Sequence, residues 1–177
     1  MVLGDATQIT LEITGIDHVG IAVPDLDEAI AFHTGVLGGR LAHREENHDQ
    51  GVSEAMIAYD SGAQVQLLAP LTPESAIGKF IDRSGPGLQQ LAYRVPDAAA
   101  ATAAVKAAGL RVLYDAPRRG TAGSKINFIH PRDTGGVLVE LVEPAAATEA
   151  TEATKAHSAL DGVASTGSAA SGETMTA

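Results

Sequence analysis

The chain has 177 residues, room for one domain of ordinary size or two small units sharing a core. Its 22 acidic and 12 basic residues leave a net charge of −10, which argues against nucleic acid as the main partner, because phosphate binding needs clustered Lys and Arg. The absence of cysteine excludes disulfides, thiolate metal sites and Cys nucleophiles, and an aromatic content of only 3% makes the core aliphatic.

Met1 to Thr10 has neither a basic n-region nor an apolar h-region, so no secretory signal is expected. Residues 1–12 read as a flexible N-terminus. No stretch approaches the ~18 apolar residues of a membrane span, so no membrane is expected and the cytoplasm is the default compartment. Asp17 to Val23 reads as a strand, with Val19, Ile21 and Val23 on one face and His18, Gly20 and Ala22 on the other. Pro24-Asp25 opens a helix whose buried stripe is Leu26, Ala29, Ile30, His33 and Leu37, ended by Gly38-Gly39. Strands follow at about Leu41–Glu46, Val52–Tyr59 and Ala63–Ala69, with Ser61-Gly62 turning between the last two. Thr72 to Arg83 is a connecting segment, helical in part.

The second half repeats this order. Leu88–Val95 is a strand, Asp97 caps an alanine-rich helix that Gly109 ends, and Leu110–Tyr114, Lys125–His130 and Gly136–Val142 are strands. The expected class is α+β, two βαβββ modules in tandem (about 14–70 and 86–144) around one cleft, within a domain spanning 13–144. From Ala145 to Ala177, Ala, Thr, Ser, Gly and Glu dominate, a composition that cannot offset the entropy of ordering, so 145–177 reads as a disordered tail.

The repeat also aligns polar residues. Ile16-Asp17-His18-Val19-Gly20-Ile21-Ala22-Val23-Pro24-Asp25 matches Leu88-Gln89-Gln90-Leu91-Ala92-Tyr93-Arg94-Val95-Pro96-Asp97 at an offset of 72, which sets His18 on Gln90. Val65-Gln66-Leu67-Leu68-Ala69-Pro70 matches Val139-Glu140-Leu141-Val142-Glu143-Pro144 at an offset of 74, which sets Gln66 on Glu140. Taken singly, His18 reads as a structural strand histidine, and Gln66 and Glu140 as residues of a solvated sheet face. Recurrence at both matched pairs favours a shared site instead. One imidazole, two amide oxygens and one carboxylate make a plausible divalent metal site. The glycine-containing loop from Arg118 to Lys125 is basic and has no phosphate-loop spacing. It could grip an anionic substrate or be a solvated hairpin tip. Arg119, Ser124 and Lys125, with His130 at a strand end, are the candidate substrate-binding residues.

With these residues in view, the chain resembles the vicinal oxygen chelate superfamily (glyoxalase, bleomycin resistance and dioxygenase proteins), and within it the methylmalonyl-CoA epimerases. The resemblance rests on Asp17–Val23, His43–Asn47, Gln50–Glu54 and Val65–Leu71, then on Gly87–Val95, Leu113–Asp115, Ile126–Pro131 and Gly136–Leu141. It implies a divalent metal held by His18, Gln66, Gln90 and Glu140, with cobalt favoured over manganese, nickel, zinc or magnesium. The family pattern has His where this chain has Gln90; an amide oxygen can still coordinate, as a weaker ligand for late transition metals. The resemblance implies epimerisation of methylmalonyl-CoA by 1,1-proton transfer through a metal-stabilised enolate. Glu54 matches the family's general base, and Glu140 is the candidate second acid/base. An acyl-CoA substrate and a homodimer follow from the same resemblance. Two readings stay open beside it: a glyoxalase I-type lyase acting on a glutathione hemithioacetal, and a binding or resistance protein that keeps the fold without catalysis. An extradiol dioxygenase would want two His and one carboxylate on iron, and only one His stands at the ligand positions.

Overall fold

The computed structural model describes residues 9–146. Strand β1 (Gly15–Ala22) leads to helix α1 (Leu26–Gly35), and then β2 (Arg40–Asn47), β3 (Val52–Ala58) and β4 (Gln64–Pro70) complete the first half. Helix α2 (Ala76–Ser84) joins it to β5 (Gly87–Arg94), α3 (Ala98–Ala107), β6 (Arg118–Arg119), β7 (Lys125–Ile129) and β8 (Leu138–Glu143). The eight strands form one sheet in the order β2-β3-β4-β1-β5-β8-β7-β6. Each half pairs its first and last strands in parallel, β1 with β4 and β5 with β8, and the halves meet where β1 and β5 run antiparallel. The α+β class expected from the sequence is present, and the strand order is consistent with two tandem modules. The segment expected to be a disordered tail lies, beyond residue 146, outside the described residues.

Local sequence explains the helices. Asp25 caps α1 by accepting from the Glu28 backbone N–H at 2.9 Å, and Asp97 caps α3 by accepting from Ala99 and Ala100 at 2.8 Å. Such a cap is worth about 1 kcal/mol. Ser75 does the same for α2 through Gly78. The two repeat helices pack on one face of the sheet. Leu26 of α1 joins Ala55, Ile57, Leu67 and Ala69, and Ile21 and Val23 pack beside them. Ala98, Ala101 and Val105 of α3 join Val95, Ile129 and Leu141. His18, Gly20 and Ala22 alternate onto the other face, where α2 lies over one end. There Ile77 packs with Ala22, Val52 and Leu68.

Three expectations need correction. The α1 stripe stops short, because the helix ends at Gly35 and Leu37 is 48% exposed. His33 is part-buried and contacts the Tyr59 hydroxyl at 2.8 Å. The strand expected at Leu110–Tyr114 shrinks to a single bridge, Val112 to Ile129. The backbone bonds Leu113 N–H to Phe128 O and His130 N–H to Arg111 O flank that bridge. At Tyr114 a side chain then replaces the ladder. Asn127, fully buried, accepts from the Tyr114 and Phe128 N–H groups and donates to Tyr114 O and Thr102 Oγ1. The sheet edge resumes only at Arg118–Arg119. The last strand also starts later than expected, at Leu138, because Gly135 and Gly136 adopt positive φ in the preceding turn.

Asn127 therefore ties the edge loop, β7 and α3 together with four hydrogen bonds. Removing it strands several buried partners, each costing about 1–3 kcal/mol. Asn127→Ala is expected to destabilise the protein by about 2–4 kcal/mol. A thermal melt in which Asn127→Ala matches the parent would show that these bonds contribute nothing net.

Candidate functional site

Strand register explains why four ligand-type residues converge. Gly20 on β1 sits beside Gln66 on β4 and Gln90 on β5. At the matching point of the second half, Ala92 on β5 sits beside His18 on β1 and Glu140 on β8. A small residue thus separates two ligand-type residues on each side of the seam. At Gly20 smallness is required, since a Cβ there would lie 2.5 Å from Gln90 Cγ.

His18, Gln66, Gln90 and Glu140 are all buried and touch one another. The Gln90 amide donates to Glu140 Oε2 at 2.5 Å and to Gln66 Oε1 at 3.1 Å. His18 Nε2 lies 3.2 Å from Glu140 Oε2 and 3.5 Å from Gln90 Nε2. Among the described residues no group of three or more His, Cys, Asp or Glu side chains is placed to hold a metal. This cluster draws half its donors from amides instead. A half-turn of the Gln90 amide would present its oxygen where the nitrogen now stands. One imidazole nitrogen, two amide oxygens and one carboxylate form a donor set whose chemistry suits a first-row divalent cation.

A second carboxylate stands next to the cluster. Glu54, 2% exposed, lies opposite Leu68 in β4, and its Oε2 accepts from the Gln66 amide at 2.9 Å. Its other oxygen is buried without a hydrogen-bond partner. Burial pushes Glu54 up to about 7; a contact with the Thr121 hydroxyl works against the rise, and Glu45 adds to it. Glu45 is its cross-strand neighbour on β2, held below its ordinary value by His43 and Arg119 although burial opposes this. Glu54 is no surface glutamate paired with a base: it lines a cavity of about 230 Å³ with Gln66, Gln90, Glu140 and the apolar Leu68 and Phe128.

Two residues of the site went unnoticed in the sequence. Asp17 Oδ1 lies 2.9 Å from His18 Nδ1, and Arg94 Nε donates to Asp17 Oδ2 at 2.9 Å. This carboxylate fixes the imidazole ring with Nε2 facing the cluster, the arrangement that orients metal-binding histidines. Burial alone would lower the His18 pKa, but Asp17 and Glu140 outweigh it and raise it to about 9. Strand alternation predicts that Asp17 and His18 face apart. A register irregularity between Ile16 and His18 brings them together. Thr121 is the other, its hydroxyl accepting from the Gln66 amide at 2.7 Å in a short 3-10 turn, Thr121–Gly123.

The four candidate substrate-binding residues do not join this cluster. Arg119 reaches Glu45 at 3.4 Å, and Lys125 pairs with Glu143 at 2.6 Å. Ser124 is buried beside a second cavity of about 360 Å³, which His18, Thr121 and Glu140 also line. His130 lines a separate surface cavity.

The chain belongs to the Glyoxalase/Bleomycin resistance protein/Dioxygenase superfamily, whose family model matches residues 17–128. Within that class it is similar to epimerases of acyl-CoA thioesters. It shares 55% identity with the crystal structure of methylmalonyl-CoA epimerase from Mycobacterium tuberculosis, covering 79% of this chain and 94% of that one, with a TM-score of 0.74. A Streptomyces coelicolor methylmalonyl-CoA epimerase variant in complex with 2-nitronate-propionyl-CoA is 43% identical over 76% of this chain and all of that one, with a TM-score of 0.72. The ethylmalonyl-CoA/methylmalonyl-CoA epimerase of Cereibacter sphaeroides is 37% identical over 128 residues, 71% of this chain and 95% of the relative. Among the described residues, no helix is long and apolar enough to cross a membrane.

Proposed function

We propose that this chain interconverts the two epimers of methylmalonyl-CoA by removing and replacing the proton on the carbon between thioester and carboxylate. The observation that carries the reading is Glu54: a buried carboxylate with one oxygen unpartnered, lining the same cavity as a four-donor cluster. The relatives' names supply the substrate class.

His18, Gln66, Gln90 and Glu140 would hold a divalent cation, with cobalt favoured. When bound, that cation supplies Lewis-acid neutralisation of the negative charge developing on the thioester oxygen. Glu54 takes the proton from one face of the substrate. A carboxylate held near 7 suits this work at neutral pH, being about half ionised and basic enough to accept a proton. Glu140, reaching the cluster from the opposite half of the chain, would take a proton from solvent on its oxygen not engaged by the cation, pass it to the other face and so invert the centre. Leu68, Phe128 and Leu138 keep the cavity wall apolar, which strengthens electrostatic effects inside it. Asp17 keeps the His18 ring in place, and Thr121 fixes the Gln66 amide between its own hydroxyl and Glu54. A cytoplasmic homodimer is the working form we carry over from the family resemblance; the acidic, cysteine-free composition is compatible with that compartment.

The test is proton NMR in D₂O with methylmalonyl-CoA and the metal-loaded protein. The α-proton signal is expected to vanish by exchange far faster than in a protein-free control. Exchange no faster than the control would overturn the epimerase reading.

A further inference from the structure

Two cavities meet at the four-donor cluster. The cleft of about 230 Å³ and the second cavity of about 360 Å³ share Thr121 and Glu140 and are otherwise lined by different residues. Strand alternation sets them in line. On β3 the cleft takes Val52 and Glu54, and the second cavity takes Met56. On β4 the cleft takes Leu68 and Gln66, and the second cavity takes Gln64. On β8 the cleft takes Leu138, and the second cavity takes Val142 beyond the shared Glu140. Each step of two residues keeps the same face and adds ~7 Å. One face of the sheet thus carries both cavities, with the cluster between them.

The donors divide between the two sides. Gln66 and Gln90 border the cleft, His18 borders the second cavity, and Glu140 borders both. A cation arriving through the second cavity meets the imidazole and the carboxylate first, the strongest donors of the set for a first-row ion. On the way it passes side-chain oxygens of Asp17, Gln64, Thr121 and Ser124, which can replace the water it sheds. Arg94, the permanent cation in this lining, is neutralised by Asp17. The rim is exposed and built of small residues, Ala42, Ala122, Pro144 and Ala145. A cation with six waters takes ~180 Å³, at ~30 Å³ per water, which this cavity can admit. The cleft, by contrast, is filled whenever a thioester lies in it with its acyl end at the cluster.

We propose that a divalent cation reaches and leaves the cluster through the second cavity, so that metal exchange does not require an empty cleft. This rests on reading the cluster as a cation site.

The chain has no cysteine, so a single introduced thiol can be plugged selectively. Ala42→Cys puts one at the rim of the second cavity and Ala76→Cys puts one at the cleft, and both positions are exposed. Each full-length variant, freed of metal, is treated with a bulky methanethiosulfonate. Uptake of cobalt alone is followed by stopped flow, and its release by a chromogenic chelator. The plug on Ala42→Cys is expected to slow uptake and release alike by about 10-fold or more, to leave the equilibrium affinity unaltered, and to reverse on reduction. The plug on Ala76→Cys is expected to leave both rates as they were. An obstructed route changes the two rates together, whereas a damaged cluster changes the affinity. Uptake at the parent rate through plugged Ala42→Cys overturns the route, and so does a fall in affinity in place of matched slowing. Slower uptake by plugged Ala76→Cys also overturns it, since the cation then travels by the cleft. A parent chain that binds no cobalt removes the cation reading, and this route with it.

Discussion

Glu54→Gln is expected to slow epimerisation of methylmalonyl-CoA by about 100-fold or more, the usual scale for a positioned acid or base. The substitution keeps size and hydrogen-bonding capacity. Its amide oxygen can still accept from Gln66, so the cluster should keep its arrangement and the metal its ligands. It also removes one of two acidic groups that face each other across β2 and β3, so the melting temperature should hold or rise. The informative comparison is therefore turnover against metal content and melting temperature measured on one preparation. Parent-rate turnover with Gln at this position would take the base away from Glu54, and the mechanism with it.

His18→Ala is expected to weaken retention of a divalent cation by at least about 100-fold, beyond the range seen when only an outer-shell partner is lost. His18 supplies the one imidazole nitrogen in the cluster, and softer cations such as cobalt and zinc depend on it more than magnesium does. The protein should still fold. Asp17 keeps Arg94 as a partner, and Glu140 keeps the Gln90 amide, so neither carboxylate is left alone. Elemental analysis after gel filtration reads metal retention, and a thermal melt reads folding. A folded His18→Ala protein that retains metal as the parent does would mean that the cation sits elsewhere.

Much of the fold was legible because periodicity and punctuation agree. Asp25 and Asp97 cap the two repeat helices, and the alternation of Val19, Ile21 and Val23 with His18, Gly20 and Ala22 fixes the faces of β1. The offset matches led to His18, Gln66, Gln90 and Glu140, which the fold brings together, because duplicated strands at a shared seam face one another. What stayed hidden depends on contacts distant in sequence or on broken regularity. Local patterning at Leu110–Tyr114 carries no sign that Asn127 will intercept the ladder at Tyr114. Arg119 and Lys125 looked free, yet their carboxylate partners lie 74 and 18 residues away. Asp17 was concealed by the alternation that made β1 readable, since only an irregularity lets two adjacent residues interact.

The antiparallel seam between β1 and β5 resembles the contact between two identical subunits related by a twofold axis. In a true symmetric dimer every substitution appears twice, so a residue and its mate cannot differ. Fusing both copies in one polypeptide lifts that constraint. His18 can then face Gln90, and neutral Gln66 can stand opposite charged Glu140. The outcome is a chamber with handedness. The first half of the chain contributes Glu54, backed by Glu45, and the second half contributes Glu140. An enzyme that must lift a proton from one side of a carbon and deliver one to the other side once that carbon is flat needs two unlike walls, and a chamber with unbroken symmetry would have to make them the same.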